Sequence, residues 1–273
     1  SEDEDRTHVP PACRVRGASG NLGLVVGDDG AFLIDDQYAP LTERIRAAVL
    51  EITDRPIRFV LNTHWHGDHT GGNENLAEAG ALVVAHGNVR KRLSEGQFMA
   101  FFEREVPPAA DAALPVVTFN DRVTFHLGGH TVDAIHAPHA RTDGDAIVRL
   151  READVIHAGD IVFYGMYTFI DYGSGGRLDG MIDAVDEMLG LSGETTRIIV
   201  GHGGPVVGRD ELSRYRDMLA TVHDRLRTPT DAGLDLEAIQ VEAPTADFDE
   251  FRGGGFIGPE RFVEMNVRGM RGD

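Results

Sequence analysis

Apolar and polar residues alternate along residues 21–36, NLGLVVGDDGAFLIDD: Leu22, Leu24 and Val26 share one face, a DDG turn follows, and a second apolar run ends on two aspartates. This pattern predicts a strand, a tight turn and a second strand. Leu41, Ile45, Ala48, Val49 and Ile52 then recur at helical spacing behind Pro40, which predicts a helix over 40–53. Residues 58–62 read as a buried strand, 74–79 as a short helix, 81–85 as a strand and 88–104 as a helix. Beyond Pro115 the chain turns β-rich, with strands expected at 116–119, 122–127, 131–137, 145–150 and 155–158. Helices at 178–189 and 210–226 flank a strand at 197–200. The tail reads as a loop around GGGFIG at 253–258, then a helix at 259–267.

The stretch GDAIVRLREADVIHAGD (144–160) repeats the strand, turn, strand, aspartate order of VVGDDGAFLIDD (25–36), which suggests an internal duplication. Two similar halves of this kind fold as two sheets face to face with helices outside, a four-layer αββα sandwich of α/β class in one domain. The division expected is an N-terminal extension over 1–19, a main domain over 20–230 and a C-terminal extension over 231–273 packing on it.

Composition narrows the function. The 26 Lys and Arg against 45 Asp and Glu leave a net charge of −19, and Lys91 is the single lysine, so a nucleic-acid partner is not expected. No apolar run approaches the ~18 residues of a membrane helix, so the body is expected to be soluble with no membrane partner. Cys13 is alone and forms no internal disulfide. The compartment, cytoplasmic or periplasmic, and the oligomeric state stay open. The 12 histidines are clustered, and that clustering carries the chemistry.

His64-Trp65-His66-Gly67-Asp68-His69 places four metal-competent side chains at the end of an apolar strand. His64 and His66 stand two apart and can face one side of an extended segment, while Asp68 and His69 turn towards a neighbouring point. Three imidazoles and a carboxylate crowded together at a strand end point to one metal ion or two adjacent ones. No GxSxG motif offers a serine nucleophile instead, and Cys13 is remote.

With this HxHxDH segment the sequence resembles the metallo-β-lactamase fold superfamily over roughly residues 20 to 225. Asp160, in VIHAGD, looks like the family's bridging aspartate, and His202, in IIVGHGGP, like its last ligand. The resemblance implies one metal site around His64 and His66 and another from Asp68, His69 and His202, with Asp160 between them. It implies zinc first, one or two ions per chain, and an activated hydroxide in whose chemistry Asp68 takes part. The chain departs from the family in HAPHARTDGD (136–145), where Arg141 holds the place of the histidine that completes the first site. Arginine stays protonated and does not ligate. Either His139 swings in to complete that site, or the site is weak or empty and Arg141 supplies a fixed charge that binds substrate or partly replaces the metal.

The implied activity is hydrolysis of a small molecule, a cyclic amide or ester, with weak β-lactamase activity included. In the thiolate-containing subclass of true β-lactamases a lysine stands three residues past the cysteine, whereas Phe163 stands three past Asp160 here. A thioester hydrolase of the glyoxalase II type is the alternative, and a ligand-binding module with a disabled first metal site another. The aromatic run 163–172 reads as an adjustable pocket wall or as core.

Overall fold

The alternation at 21–36 folds as an antiparallel hairpin, β1 (Gly23–Gly27) and β2 (Gly30–Ile34). A computed structural model describes residues 20–272; the 1–19 extension, with His8 and Cys13, lies outside the described residues. Helix α1 (Thr42–Ile52) returns the chain to β3 (Ile57–Leu61), parallel to β2. The histidine loop contains a single turn, α2 (Gly67–Thr70), and leads through α3 (Asn73–Glu78) to β4 (Leu82–His86) and α4 (Gly87–Ser94). A small hairpin of β5 (Gln97–Met99) and β6 (Arg104–Val106) precedes β7 (Val117–Phe119). The second half contributes β8 (Arg122–Leu127), β9 (His130–Ala137), β10 (Asp145–Leu150), β11 (Val155–His157), α5 (Leu178–Leu191) and β12 (Arg197–Ile199). Helices α6 (Arg209–Asp231), α7 (Leu236–Val241), α8 (Ala246–Arg252) and α9 (Pro259–Arg271) complete the chain.

Two five-stranded sheets result, ordered β1-β2-β3-β4-β7 and β12-β11-β10-β9-β8. The duplication is visible in their connections: the hairpin β1-β2 leads through α1 to the parallel strand β3, and β10-β11 leads through α5 to the parallel strand β12. Side chains of a strand alternate between faces, and here both faces are covered. Phe32 and Ile34 of β2 join Val132, Ala134, Ala146 and Val148 between the sheets, while Leu33 turns outward onto Leu76 of α3. On the other sheet Ile135, Ile147 and Ile156 pack under α5, α6 and α9. The layers are therefore helix, sheet, sheet, helix.

Three local expectations differ. The helix expected over 88–104 stops at Ser94, where Glu95 turns extended and the Gln97 amide donates to the Arg92 carbonyl, satisfying an open helix end. Helix α1 forms, yet Ile52 is half exposed, because only its Val49 side reaches the core. The tail between 234 and 253 holds two unexpected helices, α7 capped by the Asp235 carboxylate, and buries Ile239 against the helical layer, as Ile257 and Phe262 are buried beyond it.

Candidate metal centre

The strand ends of both sheets meet at one edge of the sandwich, and the candidate residues other than His139 lie there. Asp35 follows β2, the segment from His64 to His69 follows β3, Asp160 follows β11, His202 follows β12 and Arg141 lies in the β9-β10 loop. Close backbone packing makes the convergence possible. A Cβ on Gly201 would sit 2.2 Å from Asp160 Oδ1, so only glycine lets the chain leaving β12 pass beside that carboxylate, and Gly159 turns the chain with φ of +50° against Thr63.

Four donor atoms gather at one point. Asp160 Oδ1 is 3.2 Å from both His69 Nε2 and His202 Nε2, and Asp68 Oδ2 is 3.2 Å from His202 Nε2 and 3.6 Å from His69 Nε2. A tetrahedron of zinc bonds of 2.0–2.1 Å has edges of about 3.3 Å. Among the described residues, His69 Nε2, Asp160 Oδ1 and His202 Nε2 are buried atoms without a hydrogen bond of good geometry. Buried polar atoms without a partner are rare in folded proteins, and here they face one another. Asp35 accepts a 2.8 Å hydrogen bond from His69 Nδ1, which aims the Nε2 lone pair at the other donors. This group fits a divalent cation, and two nitrogens with two carboxylate oxygens suit zinc.

The electrostatics agree. Burial opposes protonation of His69, but Asp160, Asp35 and Asp68 outweigh it and raise its pKa well above the usual histidine value. His202 is raised in the same way, with Asp160 outweighing burial. Burial likewise opposes ionisation of Asp160, yet Arg141, His202 and His69 hold its carboxyl well below the usual range. Positive charge is favoured where these four side chains meet.

The neighbouring group, His64, His66 and Asp160, is different. Arg141 Nη1 lies 2.7 Å from Asp160 Oδ2 and donates to His64 Nε2 and to His66 Nδ1. Both imidazoles are fixed in the tautomer this requires: His64 Nδ1 donates to Thr63 Oγ1, whose own hydroxyl donates to Asp35, and His66 Nε2 donates to Asp171 at 2.9 Å. Burial first, then neighbouring positive charge, lowers the pKa of both rings and keeps them neutral. The guanidinium fills the position between them, and these residues do not fit a second ion.

His139 is not brought to the site. It adopts a left-handed turn with φ of 55°, and its Nδ1 donates to the Gly175 carbonyl at 3.0 Å on the exposed side of the loop. Nor does Arg141 offer a face to substrate. It is 4% exposed, its Nε donates to the Phe169 carbonyl, and the Phe163 and Phe169 rings lie 5.7 and 5.6 Å away. The aromatic run after Asp160 is largely core rather than pocket wall, since Phe163, Tyr167, Phe169 and Ile170 are buried and Tyr164 and Tyr172 are partly so. Trp65 packs beneath the loop with its indole N–H on Ser174. Asp35 and Asp171 orient the histidines and were not expected to; only the paired aspartates closing the run at 31–36 hinted at the former.

An αββα sandwich with a histidine and aspartate cluster on its strand-end edge defines a class of metallo-hydrolases. A family model described as the metallo-beta-lactamase superfamily matches residues 15–202, and the chain belongs to this superfamily of metal-dependent hydrolases. It is 34% identical over 108 residues to a hydroxyacylglutathione hydrolase of Erythrobacter litoralis, covering 39% of this chain and 35% of that protein. Another hydroxyacylglutathione hydrolase, from Rhizobium meliloti, is 25% identical over 88% of this chain and 80% of its own length. Among solved structures, a metallo-beta-lactamase from Pontibacter korlensis superposes with a TM-score of 0.62 at 21% identity, covering 74% of this chain and 87% of that one. The sec-alkylsulfatase Pisa1 from Pseudomonas sp. reaches 0.69 at 19% identity, covering 93% of this chain but 48% of that one. The chain thus spans little more than a third of the first relative and about half of the sulfatase. No helix among the described residues is long and apolar enough to cross a membrane.

Proposed function

We propose that the protein hydrolyses a small-molecule ester or cyclic amide with one zinc ion held by Asp68, His69, Asp160 and His202. The observation that carries this reading is the set of four donor atoms whose carboxylate oxygens lie 3.2–3.6 Å from the two imidazole nitrogens, three of them buried without other partners. A zinc ion held by these residues would supply a bound water with its pKa lowered from about 15.7 to about 7 and a Lewis acid for an acyl oxygen. Asp68 and His202 are the two donors with some exposure, 14% and 13% of their side chains, so substrate and water approach from their side. There the Asp68 carboxylate orients the attacking water and accepts its proton. Asp160, fully buried, holds one oxygen towards His69 and His202 and the other on Arg141.

The net charge of −19 disfavours polyanions. Phe163, three residues past Asp160, is buried with its ring 4.6 Å from that of His202 and supplies no cation for a drug carboxylate. A thioester is the second reading, supported by the hydroxyacylglutathione hydrolase that aligns with 88% of this chain. The test is turnover by zinc-loaded and metal-stripped protein of nitrocefin, a lactone series, S-lactoylglutathione and a secondary alkyl sulfate. Zinc-dependent turnover of lactones supports the ester reading. Exclusive turnover of the thioester replaces it with the second, and failure on all four classes overturns both.

A further inference from the structure

We infer that the Arg141 guanidinium is a built-in cation standing where a second metal ion would otherwise be held, and that Arg141→His turns this one-metal protein into a two-metal one. The inference rests on the reading of the four-donor site given above. Three acceptors, His64 Nε2, His66 Nδ1 and Asp160 Oδ2, converge on Arg141 Nη1, which has only two N–H bonds to offer. An ordinary hydrogen-bonding group would not draw three acceptors to one nitrogen; a point of positive charge does. The supports on the far side of each donor, Thr63 behind His64 and Asp171 behind His66, are those that orient metal-binding imidazoles.

The replacement is fixed by its surroundings. The carbonyls of His139 and Ala140 accept from Arg177 N, and the Arg141 carbonyl accepts from Asp171 N. Gly176 packs so tightly under this turn that a Cβ there would sit 2.1 Å from the Arg141 carbonyl oxygen. With the backbone locked and the guanidinium nearly inaccessible, Arg141 acts through its neighbours and is a positioning residue. It neutralises one oxygen of Asp160, holds His64 and His66 in place, and leaves the other Asp160 oxygen to the four-donor site.

An imidazole is shorter than a guanidinium side chain by roughly one metal–ligand bond of about 2 Å. A histidine at 141 therefore reaches the rim of the position that Nη1 fills, and His64, His66 and Asp160 already face it. Zinc content by mass spectrometry after gel filtration, with calorimetric titration of zinc into stripped protein, tests this. The expected result is one ion per chain for the natural protein and for Arg141→Lys, and two for Arg141→His. A second variant does not depend on the folding of the first: His64→Ala leaves zinc affinity of the natural protein within a few-fold and removes the second ion from the Arg141→His background. Two tightly held ions in the natural protein, one ion in folded Arg141→His, or a loss of more than about tenfold in affinity with His64→Ala would overturn the inference while leaving the four-donor site standing. Absence of any bound ion in the natural protein overturns that site and this inference with it.

Discussion

Arg141 and Asp160 form a 2.7 Å ion pair from which solvent is almost wholly excluded. Removing one member of such a pair leaves the other as an uncompensated buried charge, at a cost of about 3–5 kcal/mol. Arg141→Ala in metal-free protein is expected to lose up to that much unfolding free energy in urea, followed by circular dichroism, since His69 and His202 still face Asp160 and offset part of the cost. Arg177→Ala, which breaks an exposed pair with Asp179, should stay within about 1 kcal/mol. Equal effects of the two substitutions would mean that the buried pair is not holding the loop.

Asp68 lies at the open side of the site with its Oδ2 3.2 Å from His202 Nε2. Asp68→Asn keeps the shape and removes the charge and the basicity. A drop in kcat/KM of at least about 10²-fold on whichever substrate is turned over is expected, with the thermal midpoint of the stripped protein little changed. Retention of more than a tenth of the activity would remove Asp68 from its role.

Two aspartates that touch imidazoles on their far sides should differ in consequence. Asp35 orients His69 of the four-donor site, whereas Asp171 orients His66, which faces Arg141. Asp35→Asn is expected to weaken zinc binding by about 10–100-fold, and Asp171→Asn by no more than a few-fold. Competition against a fluorescent chelator measures both, and a reversed order would assign the metal to the wrong pair of histidines.

Acid stability carries a signature away from the site. His86 caps α4 by accepting the Asn88 N–H and donates to the Asn120 carbonyl, and its ring stacks on His136 with centroids 3.8 Å apart. Burial first, then the neighbouring His136, pushes its pKa down to about 4. Between the unfolded histidine value of ~6.5 and this one, the unfolded chain binds the additional proton. Stability therefore falls as pH drops through that window and rises again as pH is raised. His86→Asn preserves a capping side chain without the titration, so its unfolding free energy should change less between pH 7 and pH 4.5. An unaltered pH slope would contradict the assignment.

Much of the fold was legible because the information is local. Alternation marked the strands of both sheets, and the paired strand, turn, strand, aspartate segments announced the duplication that the sheet connections display. His64, His66, Asp68 and His69 were legible for the same reason, being close in sequence at a strand end. Contacts between residues far apart were not. Nothing near Arg141 in the chain says that its guanidinium enters between His64 and His66, 77 and 75 positions away, or that Asp171 lies behind the latter. Composition left pocket wall and core both open where burial decides: the aromatics from Phe163 to Tyr172 sit close to the site in sequence, yet the C-terminal helices cover them, with Tyr167 stacked on Phe262 and donating to Asp249.

The most direct test is a zinc-edge anomalous difference map from crystals grown with excess zinc. One peak bounded by Asp68, His69, Asp160 and His202, with Arg141 still seated between His64 and His66, is the predicted result. A peak between His64 and His66 with the guanidinium displaced, or no peak among the four donors, would contradict the account.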